Sequence, residues 1–506
     1  MTQANIEPVD LFVIGGGANG AGIARDASGR GLSVTLCEQG DLAEGTSSRS
    51  GKLIHGGLRY LEYYEFRLVK EALNERTVLL RSAPHIIWPL RFVLPLGEGK
   101  RPAWFIRLGL FLYDNLGGNR VLPGTATRDL RHAEAGVPLK DKYRRAFEYS
   151  DCWVDDARLV VLNALSAAEK GAKILTRTKC TSARRIGGYW HITTQNRDGQ
   201  QQAHLAKGIV NAAGPWINVV NDDVLNIESK RRVRLVKGSH IVAKKFWPGD
   251  HAYLLQNPDK RVIFINPYLD DLCLIGTTDI SYDGTPQDVA IDEGEIDYLL
   301  ESLGRYFENP PRKDALIQTF SGVRPLFDDD KDNPSAVTRD YVFDVTDEGG
   351  KLPLLNIFGG KITTYRELAQ HAMEKLTPYY PDLGPAWTAT TTLPGGDTGN
   401  DIPAFIRFVC LAKPWLPEPL ATHYVRLYGT RLFTLLGDAA SMDDLGLYFG
   451  GKLYAREAEF LIRHEWAQTA EDILERRTKH GLFLTPEEKV GFEKWLATWQ
   501  ENNPYS

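Results

Sequence analysis

The sequence predicts an α/β fold in three parts: a Rossmann-like nucleotide-binding domain, an antiparallel β-sheet domain inserted into it, and a helical C-terminal domain. Three observations carry this expectation. A glycine-rich turn joins an apolar run to a helix-like stretch in LFVIGGGANGAG, residues 11–22. Strand-like and helix-like segments alternate to about residue 230 and then give way to the runs HIVAKKF, AYLLQN, RVIFINPYL and LCLIGTTD. From about residue 401 the apolar residues recur with helical period.

The turn comes first. DLFVI is a short apolar run without charge after Asp10, and AGIARDASGRG behind the glycines has helical character. Gly15, Gly17 and Gly20 fit G-x-G-x-x-G, where the first glycine permits the turn, the second lets a pyrophosphate approach, and the third lets helix and strand pack closely. The helix N-terminus aims free N–H groups and a positive partial charge at that pyrophosphate. The next run, LSVTLCE, ends in Glu38, where an acid receives the ribose hydroxyls and disfavours a 2′-phosphate. These residues fit FAD and NAD equally well.

The stretch after Glu38 separates the two. A nicotinamide dehydrogenase has no use for a second segment rich in Ser, Thr and Gly so soon after the ribose acid, whereas FAD lies extended and needs contacts along its length. Thr46, Ser47, Ser48 and Lys52 in GTSSRSGK are the candidates. GIVNAAGPWIN, residues 208–218, offers another backbone approach, with Gly214 and Pro215 opening a helix. The expected cofactor is FAD, held non-covalently.

The β-rich region reads as the inserted sheet, and the alternation in KRRVRLVKG from Lys230 is that of a half-exposed strand. Pro378, Pro381, Pro385 and Pro394, with Gly395 and Gly396, mark a connector. In YAREAEFLIRHEWAQTAEDILERRT, Ala455, Ala458, Leu461, Ile462 and Trp466 fall near one face, which predicts helix through this segment. The expected division is a discontinuous FAD-binding domain (1–80, 145–230, 335–385), a substrate-binding and membrane-facing domain (81–144, 231–334), a linker (386–400) and a helical domain (401–506).

Composition narrows the function. At 506 residues the chain can bury more than one core, and 60 basic against 65 acidic side chains give a net charge of −5, which argues against a nucleic-acid binder. Cys37, Cys152, Cys180, Cys273 and Cys410 are scattered, with no C-x-x-C or His spacing that would clamp a metal. They read as reduced thiols, and no metal site is expected. The start, MTQANIEPVD, is unlike a secretory signal, and no apolar run approaches the ~18–20 residues that span a bilayer. A cytoplasmic protein, soluble or held on a membrane surface, is expected.

Taken together, the segments IGGGANGAGIARDASGRGLSV, SGKLIHGGLRYLE, EYSDCWVDDARLV, NAAGPW, KGSHIV, IGTTD, SGVRPL and FGGKITTYRELA, with LPGG and HEWAQTAEDILERRT, resemble the aerobic FAD-dependent sn-glycerol-3-phosphate dehydrogenases of bacteria. Arg49 in SSRSGK is a charge that the family pattern does not require. The resemblance implies oxidation of glycerol 3-phosphate to dihydroxyacetone phosphate, with hydride passing from C2 to flavin N5 and electrons then to a membrane quinone. It also implies a homodimer in peripheral association with the inner membrane. With the glycine fingerprint it assigns Gly15, Gly17, Asn19, Gly20, Glu38, Thr46, Ser47, Ser48, Lys52, Leu53, His55, Ala213, Gly214, Gly360, Lys361, Ile362 and Thr363 to the cofactor.

The residues can be read against that chemistry. A phosphomonoester carries close to two negative charges and asks for guanidinium forks and an ammonium. Arg59, Arg324, Arg339 and Lys361 stand in apolar or Gly-rich surroundings, and no acid adjoins Arg324 or Lys361 in sequence. Tyr60 and Thr363 complete the expected substrate pocket. Hydride loss from C2 needs a base or donor network at the hydroxyl, which assigns catalytic roles to His240, Arg324 and Lys361. Lys361 and Thr363 open a predicted helix, KITTYRELAQHAMEKL, whose dipole favours negative charge on the reduced flavin. An oxidase of the same fold, acting on glycerol 3-phosphate or an amine, and a flavin-binding protein without turnover are the alternatives.

Residues 81–131 carry eight basic and three acidic side chains in a chain that is negative overall. In their midst RPAWFIRLGLFLYDNLGG is too short and too charged to span a bilayer and fits an interfacial helix in the headgroup plane.

Overall fold

A computed structural model describes residues 6–97, 102–118, 121–229, 231–259, 261–328 and 340–503. Two large sheets share the first seven-tenths or so of the chain, and a helical domain closes it.

The first sheet is the nucleotide-binding layer. Val9–Ile14 lies between Gln201–Asn211 and Val34–Cys37, with Lys173–Leu175 beyond the latter and Lys351–Gly359 beyond the former, all parallel. Leu11, Phe12 and Val13 are wholly buried, as a parallel strand covered on both faces requires. Tyr341–Glu348 adds an antiparallel edge, and Thr178–Ile186 with Tyr189–Asn196 forms a hairpin on Gln201–Asn211.

Helix Ala18–Gly29 follows the glycine turn and packs against helices Asp156–Ala168 and Tyr365–Leu376. Its small residues permit that approach: a Cβ on Gly22 would meet the Tyr365 ring at 2.8 Å.

The second sheet runs Ile280–Ser281, Val233–Lys244, Leu272–Gly276, Val262–Tyr268, Ala252–Gln256, Ile87–Pro95, Arg145–Val154, Leu53–Ile54, with Leu316–Phe327 paired to Val233–Lys244. It is antiparallel except where Ala252–Gln256 meets Ile87–Pro95. Arg145–Val154 and Leu53–Ile54 therefore belong to this sheet and not to the nucleotide layer expected from sequence. Strand alternation alone carries no information on which of two sheets a segment joins.

In the C-terminal domain, helices Ile402–Ala412, Glu418–Tyr428, Ala455–Glu465 and Pro486–Asn502 surround an apolar core. The long helix expected through HEWAQTAEDILERRT breaks at Trp466, which is left-handed (φ 57°), and helical winding resumes over Asp472–Arg477. Asp472 accepts the Gln468 and Thr469 N–H groups and pairs with Arg177 and Arg476. The broken segment thus turns its arginines onto the nucleotide domain: Arg476 and Arg477 reach Asp41, Arg158 pairs with Glu465, and Lys479 pairs with Asp155.

Candidate active site

A cleft of about 1000 Å³ runs from the glycine turn between the two sheets. At one end Gly15 is left-handed (φ 109°), and a Cβ there would meet the Ala212 carbonyl at 2.6 Å. A Cβ on Gly20 would lie 1.9 Å from the Gly15 carbonyl, so Gly20 is fixed by packing and does not line the cleft. Gly17 faces the cleft, its nearest obstacle being the Ser47 Oγ at 3.0 Å.

Glu38 lies at the same end, its two carboxylate oxygens accepting the N–H groups of Gly16 (2.6 Å) and Gly40 (2.8 Å). Burial raises its pKa despite these two bonds, which act the other way. The Ser47 hydroxyl accepts from the Ala18 N–H at the first helix's N-terminus (3.0 Å), and Thr46 donates to the Val323 carbonyl (2.6 Å).

Lys52 departs from expectation. Its Nζ is buried 2.7 Å from Asp156 and donates to the Ser48 carbonyl, and neither Lys52 nor Ser48 lines the cleft. Burial demands a counter-ion, and sequence spacing gave no hint of one 104 residues away. Leu53 and His55 do line it, and the His55 N–H donates to Thr363 Oγ1 (3.3 Å).

The opposite wall comes from the end of strand Lys351–Gly359. Gly359 and Gly360 are both left-handed, and Asn19 Nδ2 donates to the Gly359 carbonyl (3.3 Å), which ties this turn to the first helix. Lys361 then caps the turn Ile362–Thr364 that leads into helix Tyr365–Leu376. The Lys361 ammonium sits 3.8 Å from the Tyr60 ring centroid. Arg59, Tyr60, Arg324, Lys361, Ile362, Thr363, Ala213 and Gly214 all face the same cavity. Arg339 lies outside the described residues.

Arg324 has an acid partner after all: its guanidinium donates to Asp279 Oδ1 (2.6 Å) and Thr277 Oγ1 (2.9 Å). IGTTD and SGVRPL flank strand Val233–Lys244 on opposite sides, which brings them within reach of each other in a way that adjacency in sequence cannot reveal. His240, on the neighbouring strand, is buried in the cleft wall and stacks on Phe320 (centroids 5.0 Å, 20°). Among the described residues neither ring nitrogen has a hydrogen-bond partner. Burial, reinforced by Arg324 and Lys52, pushes its pKa down to about 3, so the imidazole is neutral.

Sequence reasoning passed over Thr277 and Asp279, although IGTTD was among the distinctive segments. It also left Arg49 unassigned. Arg49 lines the cleft and donates to the Ser321 carbonyl (3.4 Å), against Gly322, where a Cβ would meet it at 2.7 Å.

The glycine cradle, the acid beside it and a cavity of about 1000 Å³ suit an extended dinucleotide better than a compact ligand. A family model described as FAD dependent oxidoreductase matches residues 10–366. The chain belongs to that family. A second model, described as the C-terminal domain of alpha-glycerophosphate oxidase, matches residues 386–490. The chain is 59% identical to the D-erythritol 1-phosphate dehydrogenase of Brucella abortus, over 98% of this chain and 99% of that protein. It is 51% identical to the aerobic glycerol-3-phosphate dehydrogenase of Escherichia coli, over 98% and 99%. The crystal structure of the glycerol-3-phosphate dehydrogenase of Bacillus halodurans complexed with FAD superposes with a TM-score of 0.75 at 25% identity, covering 97% of this chain and 94% of that one.

The expected α/β FAD-binding fold with its helical C-terminal domain is therefore shown, and the cofactor is FAD. The residues present fit it. Gly15 and Gly17 leave the backbone open to a pyrophosphate, Glu38 offers a carboxylate on the same stretch of the cleft, and the Gly359–Thr363 turn lines the cavity beside the first helix.

Proposed function

We propose that the chain oxidises sn-glycerol 3-phosphate to dihydroxyacetone phosphate. The observation that carries this reading is the grouping of Arg59, Tyr60, Arg324, Lys361 and Thr363 on the walls of one cleft, beside the buried, neutral His240. FAD held by the glycine turn and the Gly359–Thr363 turn would supply the acceptor for the C2 hydride at its N5. Arg59 and Lys361 bring positive charge to the phosphate dianion, while Arg324, held by Asp279 and Thr277, orients the C2 oxygen. His240 is too weak a base to be charged near neutrality; it accepts the C2 hydroxyl's hydrogen bond, and the proton passes on to water as the hydride leaves.

The relative of Brucella abortus favours a second reading, in which the substrate is a four-carbon polyol phosphate. Turnover of the purified enzyme with a soluble quinone analogue decides between them. The ratio of kcat/KM for sn-glycerol 3-phosphate to that for D-erythritol 1-phosphate exceeds one under the first reading and falls below it under the second. Loss of both in favour of unphosphorylated glycerol overturns the phosphate-binding assignment altogether.

The proposed electron acceptor is a membrane quinone, reached by docking a homodimer on the bilayer surface without crossing it. No helix among the described residues is long and apolar enough to cross a membrane. Helix Ala103–Leu116 buries Ile106, Leu110 and Tyr113 and turns Trp104 (69% exposed), Phe105, Leu108 and Phe111 (56%) outward. Tyr63, Tyr64 and Phe66 are exposed at the same cleft mouth, which Phe105 and Leu108 also line. An apolar face of this kind supports partition into a headgroup layer. Co-sedimentation with anionic vesicles is expected to be lost in Trp104→Glu/Phe111→Glu while flavin reduction by substrate persists; equal binding would remove this helix from the membrane face. Peroxide formed in air in step with substrate consumption would replace the quinone with oxygen.

A further inference from the structure

We propose that His423, Glu457 and His480 form a zinc site in the C-terminal domain. The three come from separate segments: helix Glu418–Tyr428, helix Ala455–Glu465 and the turn His480–Leu482. His423 Nε2 lies 2.9 Å from Glu457 Oε1, and His480 Nε2 lies 3.3 Å from Glu457 Oε2. One donor atom from each residue can be chosen so that all three lie within 4.8 Å of one another, and the imidazole centroids are 4.7 Å apart.

Those separations match a metal. Zinc bonds of about 2.0–2.2 Å in a tetrahedron place neighbouring donor atoms roughly 3.3–3.6 Å apart. The two contacts to Glu457 differ from that spacing by a few tenths of an ångström at most, and turning the imidazoles would draw the remaining pair, within 4.8 Å, toward it. Two imidazoles and one carboxylate select zinc over magnesium or calcium, which prefer all-oxygen shells. Glu457 is wholly buried and His480 nearly so, while the His423 side chain is 11% exposed and leaves room for a water as the fourth ligand.

The surroundings also support a ligand carboxylate. Tyr428 donates its hydroxyl to Glu457 Oε1 (2.7 Å), the kind of outer contact that orients a metal-bound carboxylate. None of the three residues lines the flavin cleft, so the ion would clip helices together and take no part in the redox chemistry. The sequence hides the cluster because its members are spread over residues 423–480 with no short ligand spacing.

The test uses the FAD-loaded protein incubated with zinc, dialysed, and measured by elemental mass spectrometry. The expected result is a single zinc ion per chain, and cobalt(II) in its place is expected to give tetrahedral d–d absorption in the difference spectrum. His423→Gln/His480→Gln is expected to lose the ion at unchanged flavin content, and Tyr428→Phe to weaken zinc binding about 10- to 100-fold. Should the double variant fail to fold, His423→Gln alone and the wild-type cobalt spectrum decide. Wild-type protein holding under about a tenth of an ion per chain, or His423→Gln retaining full zinc with unchanged affinity, would overturn the proposal and leave a hydrogen-bonded His–Glu–His cluster.

Discussion

Arg477 grips Asp41 through two bonds, Nη1 to Oδ2 at 2.7 Å and Nη2 to Oδ1 at 2.8 Å, with both side chains wholly buried. Asp41 sits three residues past Glu38, so the C-terminal domain holds the loop that flanks the nucleotide end of the cleft. Arg476 also reaches Asp41, so removing Arg477 takes away two charge-assisted bonds without leaving the carboxylate unpaired. Arg477→Ala is expected to cost about 1.5–3 kcal/mol in chemical unfolding and to weaken FAD retention. Unchanged flavin affinity would show that the domain is attached without supporting the cofactor loop.

The glycine turn makes a graded prediction. A Cβ at Gly20 would lie 1.9 Å from a backbone carbonyl that cannot move aside, whereas at Gly17 it would meet only the Ser47 hydroxyl at 3.0 Å. Gly20→Ala is therefore expected to disrupt folding. Gly17→Ala should fold with reduced flavin content, and Gly17→Val should fold colourless, because the larger side chain takes the pyrophosphate's place. Measuring the ratio of flavin to protein absorbance alongside the melting temperature separates the two effects, and full flavin in Gly17→Val would refute the assignment of that loop.

Two buried histidines, His85 and His240, have pKa values pushed down to about 3 from 6.5, in both cases chiefly by burial. The unfolded chain takes up their protons as pH falls through 6.5, and the fold does not until about pH 3. Neither costs stability above pH 6.5; the penalty grows between 6.5 and 3, reaching roughly 2–3 kcal/mol per histidine at pH 4.5. His240→Asn is expected to flatten the decline in melting temperature over that window. A parallel pH profile in the variant would mean that His240 is already charged in the fold.

Much of the nucleotide layer was legible because its signal is local. The fingerprint Gly15–Gly20, the acid Glu38 and the helix after Lys361 each depend on residues adjacent in sequence, and each appears where spacing placed it. What stayed hidden depends on contacts between distant segments. Lys52 was read as a cofactor contact because its partner Asp156 lies on another helix, and Arg324 was read as unopposed because Asp279 arrives by strand pairing. The break at Trp466 was invisible to helical periodicity, since the buried arginines that reward it bind carboxylates in the nucleotide domain.

Reduction of the bound flavin by a polyol phosphate is the most direct test of the proposed activity. Anaerobic titration of the FAD-loaded protein should bleach the flavin absorbance with sn-glycerol 3-phosphate and leave it unchanged with glycerol. In Lys361→Met, which removes a cation from the cleft wall while keeping the side chain's length, the phosphate ester should be required at a concentration higher by about 10- to 100-fold, the equivalent of losing a charge-assisted bond of roughly 1.5–3 kcal/mol. A flavin that remains oxidised with both sn-glycerol 3-phosphate and D-erythritol 1-phosphate would contradict the proposed activity.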